Sequence, residues 1–136
     1  MREILFRGKR IDYSNPANNG KWYEGVYFPK DDITPAIIYS GKRHNHGVYV
    51  DPETIGQYTG LTDKNGKKIF EGDILQYKNE TCWVINWCAE ETRFVVTGYI
   101  DGKKCEHICI DTVFRDFEVI GNIHDNPELL KGENNV

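Results

Sequence analysis

The stretch ETIGQYTGLTDKNGKKIFEGDIL, Glu53 to Leu75, sets four glycines and the turn formers Asp63 and Asn65 among apolar residues. Within TDKNGKK, Thr62 to Lys68, the Asp63 side chain is able to bond the backbone two residues on, Asn65 tolerates a bridge or left-handed conformation, and Gly66 takes positive φ without steric cost. These residues predict a β-hairpin whose four-residue turn closes on a left-handed glycine. The apolar pair Ile69 and Phe70 follows, Glu71 to Asp73 turn the chain again, and Ile74, Leu75 and Tyr77 begin a new strand. A phosphate-binding loop of the Walker A kind is excluded: Gly66-Lys67 is followed by Lys68 where a hydroxyl is required, and Leu61 stands where the first glycine should be.

Working outward, runs of aromatic and β-branched residues bounded by turn chemistry recur along the chain, the pattern of a mainly β protein. Upstream, EILFRGKRID and KWYEGVYF read as strands on either side of the polar loop SNPANNG, Ser14 to Gly20. An apolar strand around Ala36 to Tyr39, a basic turn from Gly41 to His46 and a strand at Val48 to Val50 follow. Downstream, TCWVINWC alternates Trp83, Ile85 and Trp87 on one face with Cys82, Val84, Asn86 and Cys88 on the other, and both faces are expected to be partly buried. RFVVTGYI and KKCEHICI flank Asp101-Gly102, a pair suited to a type I′ hairpin. FEVIGNI is the last strand. In HDNPELL, Asp125 or Asn126 serves as N-cap and Pro127 as first helical residue, giving one short helical turn. The tail KGENNV, 131–136, is expected to fray.

The chain has 136 residues and a net charge of −4. Residues 1–70 carry 11 Lys/Arg against 8 Asp/Glu, a net of +3, whereas residues 71–130 carry 5 against 12, a net of −7. So acidic a C-terminal half disfavours nucleic-acid binding through that half. No apolar run approaches the roughly 20 residues that span a bilayer, and MREILFRGKR interrupts its apolar residues with charges, unlike a signal peptide. A cytoplasmic protein is expected, with no membrane association. There Cys82, Cys88, Cys105 and Cys109 would be reduced thiols.

Several constellations invite a chemical reading. Cys105, His107 and Cys109 share a strand face, but residues two apart lie about 7 Å from each other and residues four apart about 13.5 Å, too far for one zinc ion with sulfurs at about 2.3 Å. Small buried thiols account for them better, and neither metal nor cofactor is expected. His124-Asp125 has no nucleophile beside it in sequence, and capping explains Asp125 and Asn126. Trp83 and Trp87 with Phe94 and Tyr99 would make a base-stacking platform only with cations around them, and Glu90, Glu91 and Glu106 are there instead; core packing is the better account. His44 and His46 lie with Lys42 and Arg43 in a basic turn, which a solvated hairpin tip also explains. Arg7, Arg10, Lys42, Arg43, His44 and His46 are the candidate binding surface, and no residue is assigned a catalytic role.

The segments ILFRGKRID with GKWYEGVYF, then ETIGQYTGLTDKNGKKIFEGDIL, then FEVIGNIHDNPELL resemble the three signature blocks of YopX-type proteins, small proteins of phages and prophages of Gram-positive bacteria. The resemblance runs from about Arg2 to Leu130. It implies an N-terminal β-rich portion, residues 1–70, a C-terminal portion similar to an SH3-type roll or small β-barrel, residues 71–130, and a setting in a phage or prophage genome. It carries over no activity and no catalytic residues. The lengthened SNPANNG loop and the four cysteines depart from the family pattern. On this reading the central block is a structural joint between the basic and acidic portions, although a partner-binding surface fits it equally. The function expected is that of an accessory, non-enzymatic protein-binding module with an unknown protein partner, acting as a homo-oligomer or with another protein. A nucleic-acid-binding module using the basic N-terminal half is the alternative.

Overall fold

The computed structural model describes residues 4–28, 36–40, 46–77, 82–100, 103–109 and 116–130, with the backbone alone at 28, 36–40, 46, 100 and 103–109. The fold is mainly β, and its helical elements among the described residues are single 3-10 turns. The chain divides into two compact units, Met1–Tyr58 and Thr59–Val136. The division falls inside a strand of the opening stretch.

In the first unit, β1 (Phe6–Lys9) lies between β2 (Trp22–Phe28) and the start of β5 (Gly56–Thr62), and β3 (Ala36–Ser40) and β4 (His46–Val50) extend the sheet beyond β2. All the pairings are antiparallel, with Phe6 opposite Gly25 on one side and Gln57 on the other. The end of β4 returns to the extension of β1: Arg10 bridges Val50, the Ile11 N–H donates to the Tyr49 carbonyl at 2.8 Å, and the Asp51 N–H donates to the Lys9 carbonyl at 2.8 Å. Val50 is wholly buried, with Tyr27, Val48 and Ile55 against it. A 3-10 turn, Pro52–Thr54, follows β4, capped by Asp51, whose side chain accepts the Glu53 N–H. Its buried Thr54 accepts the Lys9 N–H at 2.9 Å through Oγ1, satisfying a backbone donor that burial would otherwise make costly.

In the second unit the remainder of β5 pairs with β6 (Lys68–Phe70), and a five-stranded antiparallel sheet runs in the order β10 (Lys103–Cys109), β9 (Arg93–Ile100), β8 (Cys82–Cys88), β7 (Asp73–Tyr77), β11 (Phe117–Asn122). Ile69, Leu75, Ile85, Phe94, Val96, Phe117 and Val119 form one buried cluster, and Leu61, Tyr77 and Trp83 pack against it. Both faces of β8 are partly buried, as its alternation predicts. β9 and β10 pair as the expected hairpin, with a bulge between Lys104 and Glu106; its tip, Asp101-Gly102, lies outside the described residues, as does the tail 131–136. The C-terminal helical turn is a 3-10 turn, Pro127–Leu130.

The mainly β class stands, and the SH3-type roll or small β-barrel is corrected in one respect: among the described residues the sheet is open, with β10 and β11 at its two ends. The hairpin turn supplies the physical reason. Lys64 donates its N–H to the Phe117 carbonyl at 3.0 Å and Asp63 accepts the Val119 N–H at 2.9 Å, so the turn occupies backbone groups of β11 that a closing strand would need.

Candidate functional site

The central block is braced from within. Asp63 is buried, and its Oδ1 accepts the N–H groups of Asn65 at 2.8 Å and Lys67 at 2.9 Å while Oδ2 holds Val119. Burial alone would raise its pKa, but the Val119, Lys67 and Asn65 donors and the Lys67 charge outweigh it and hold the carboxyl below the usual range. Gly66 carries φ +84, as the turn requires. Asp73, also buried, accepts the Phe70 N–H at 2.8 Å and fixes the second reversal, where Gly72 has φ +92. In the last block Asn126 accepts the Asn122 N–H at 3.2 Å, and an added Cβ at Gly121 would lie 2.5 Å from its Oδ1. The polar and glycine residues of these blocks therefore serve the backbone.

Of the sequence-predicted surface the structure describes Arg7, Arg10 and the backbone of His46. Arg7 is buried on β1, with its guanidinium 4.7 Å from the Trp22 ring centre, and Lys9 stands 5.5 Å from the same ring. Arg10 lies 5.6 Å from the Tyr23 ring, donates to the Tyr23 hydroxyl at 3.2 Å and pairs with Asp12 at 3.2 Å. Trp22 and Tyr23 are consecutive on β2 and point to opposite faces, so Arg7 and Arg10 go with them to opposite sides. Lys42, Arg43 and His44 lie outside the described residues. His46 opens β4 opposite Ser40.

Of the thiol and aromatic candidates of the second unit, the side chains of Cys105, His107 and Cys109 lie outside the described residues. Cys82 and Cys88 are free thiols at opposite ends of β8, and burial pushes the Cys82 thiol up. Trp83 meets Phe117 edge to face at 6.5 Å, and Trp87, 47% exposed, meets Phe94 at 5.1 Å in the same manner, which leaves no flat platform between them. Among the described residues no three His, Cys, Asp or Glu side chains gather as metal ligands, and no helix is long and apolar enough to cross a membrane.

A surface that the sequence did not single out lies on the first unit. Tyr13 is 69% exposed and Tyr49, on β4, is 43% exposed; their rings meet nearly at right angles with centres 5.8 Å apart. The loop that carries Tyr13 is held by Asp12. Its Oδ1 accepts the Ser14 N–H at 2.9 Å, the Ser14 hydroxyl at 2.8 Å and the Asn15 N–H at 3.0 Å, and Oδ2 accepts the Asn18 amide at 2.8 Å. The Asn18 amide first, then the Ser14 donors, keep the Asp12 carboxyl well below the usual carboxylate range. The loop continues as a 3-10 turn, Pro16–Asn18, capped by Asn15. Two tyrosines held in this way present wide apolar faces with polar ends at little further entropic cost, a chemistry suited to contacts with another macromolecule.

The family model described as YopX protein matches residues 15–131. The chain belongs to the YopX family. Among solved structures it is similar to the protein of "Crystal structure of protein EF1440 from Enterococcus faecalis", with 27% identity and a TM-score of 0.52 over 96% of this chain and 99% of that one. No curated protein matches it. The YopX match spans the braced central and C-terminal blocks whole and begins two residues after Tyr13.

Proposed function

We propose that this YopX-family chain is an accessory protein of a phage or prophage that works in the cytoplasm of a bacterial host as a non-catalytic protein-binding module. The observation that carries the reading is the exposed Tyr13–Tyr49 pair, presented by a loop that Asp12 organises before any partner arrives. Preorganised tyrosines are common anchors of protein interfaces, because they bring contact area with few rotatable bonds. The partner is another protein or a second copy of this chain.

The alternative, a nucleic-acid-binding module using the basic N-terminal half, draws no support from Arg7, which is buried, or from Arg10, which is paired. It requires affinity for single-stranded DNA or RNA that falls steeply with salt. Affinity capture from lysogenic or infected cells with the wild-type chain and with Tyr13→Ala/Tyr49→Ala tests the leading reading. The expected result is a protein retained by the wild type and lost by a variant whose circular dichroism is unchanged. Retention of the same proteins by both, or no partner for a wild type that is monomeric by light scattering, overturns it.

A further inference from the structure

Asn-Gly steps occur in turns of both units, Asn19-Gly20 in the first and Asn65-Gly66 in the second, and both glycines hold positive φ, +85 and +84. Such a step is open to succinimide chemistry, since glycine has no side chain to hinder approach of its own nitrogen to the preceding carboxamide. The two steps are matched at that nitrogen: the Gly20 N–H donates to the Arg10 carbonyl and the Gly66 N–H to the Asp63 carbonyl, each at 3.0 Å. They differ at the carboxamide. Asn19 Oδ1 accepts the Asp12 N–H at 2.6 Å, within the loop that Asp12 braces. Asn65 is exposed, and among the described residues its only hydrogen bond is made by its backbone N–H, to Asp63.

We propose that Asn65 is a site of spontaneous deamidation in the folded protein, and that the fold protects Asn19. The Gly66 nitrogen, giving up its proton to solvent, attacks Asn65 Cγ; the new N–Cγ bond forms as the Cγ–Nδ2 bond breaks, and ammonia leaves. Water then adds to either carbonyl of the five-membered imide and opens one C–N bond, leaving an aspartyl or an isoaspartyl residue. The rotation that brings Cγ to the nitrogen is open to an exposed, unheld carboxamide and closed to one fixed by a hydrogen bond.

The isoaspartyl product would act beyond its own residue. It routes the main chain through Cβ and so lengthens the path between the N–H groups of residues 65 and 67, both of which Asp63 Oδ1 binds. Asp63 Oδ2 holds the Val119 N–H, so a distorted turn loosens the cover of β11 as well. The modification would thus act as an ageing mark that weakens the second unit first.

The full chain, folded in one sample and unfolded in urea in another, is kept at mildly alkaline pH and cut after glutamate. Asn19 then falls in the peptide 4–24 and Asn65 in the peptide 54–71, with the sites located by fragmentation mass spectrometry. The expected result is amide-to-acid conversion several-fold faster at Asn65 than at Asn19 in the folded chain, with the two rates converging in urea. Asn65→Gln, which disfavours the ring closure, should abolish the signal in its peptide and leave Asn19 unchanged. Equal rates in the folded chain, a faster Asn19, a preference that persists in urea, or conversion that survives Asn65→Gln overturns the proposal.

Discussion

Among the described residues the second unit buries seven apolar side chains in one cluster, whereas the first buries Tyr58 and Val50 and sets the half-buried Tyr27, Val48 and Ile55 around Val50. Where the second unit relies on apolar area removed from water, the first is tied by directed contacts: Thr54 on the Lys9 N–H, Asp12 on its own loop, and Arg7 over Trp22. The contrast extends to the aromatic residues. Phe94 and Phe117 are spent on the core of the second unit, while Tyr13 and Tyr49 are turned to solvent on the first. The second unit leaves Trp87 largely exposed as well, so the contrast lies in how many large side chains each unit buries among the described residues.

The contrast breaks most readily at Ile85. It is wholly buried in the second-unit cluster, so Ile85→Ala should cost about 2–5 kcal/mol in denaturant unfolding; a loss under about 1 kcal/mol, typical of surface positions, would mean that the core is not what holds this unit. Asp63→Asn sharpens the polar side of the comparison. An amide at this position leaves at least one of its three N–H donors poorly matched, at about 1–3 kcal/mol, and removes a pH dependence. Because the folded-state pKa of Asp63 is lowered, its contribution is fully present above the unfolded value of about 3.9 and is lost as pH falls through the folded value. Unfolding measured over a pH series should show that acid-side loss in the wild type and a shallower one in the variant. The smallest effect is expected at Tyr13, where Tyr13→Ala should change stability by no more than about 0.5 kcal/mol. A larger loss would show that Tyr13 braces the first unit and is not held ready for a partner.

The two units also differ in how far they could be read from sequence. The hairpin at Asp63–Gly66, the reversal at Gly72 and the strand alternation of TCWVINWC were legible because their causes are local: a side chain that reaches two residues on, a glycine at positive φ, a period of two. The bond from Asp63 to the Val119 N–H spans 56 positions and left no local mark, and with it went the correct outcome for the barrel, whose closing edge that turn occupies. Arg7 counted as a free charge until strand pairing brought Trp22 against it. Tyr13, between the strand EILFRGKRID and the loop SNPANNG, belongs to neither pattern. Only the return of Tyr49 to the Ile11 N–H gave it a ring to meet.

The turn that covers β11 also bears on how such chains could pile up. A β-sheet propagates into a fibre only if each member offers an attachment line on both flanks. With β11 engaged by the Lys64 N–H and the Asp63 carboxylate, the five-stranded sheet keeps β10 as its attachment line among the described residues. A strand adding at β11 would first have to displace the buried Asp63 carboxylate from the Val119 N–H and the Lys64 N–H from the Phe117 carbonyl.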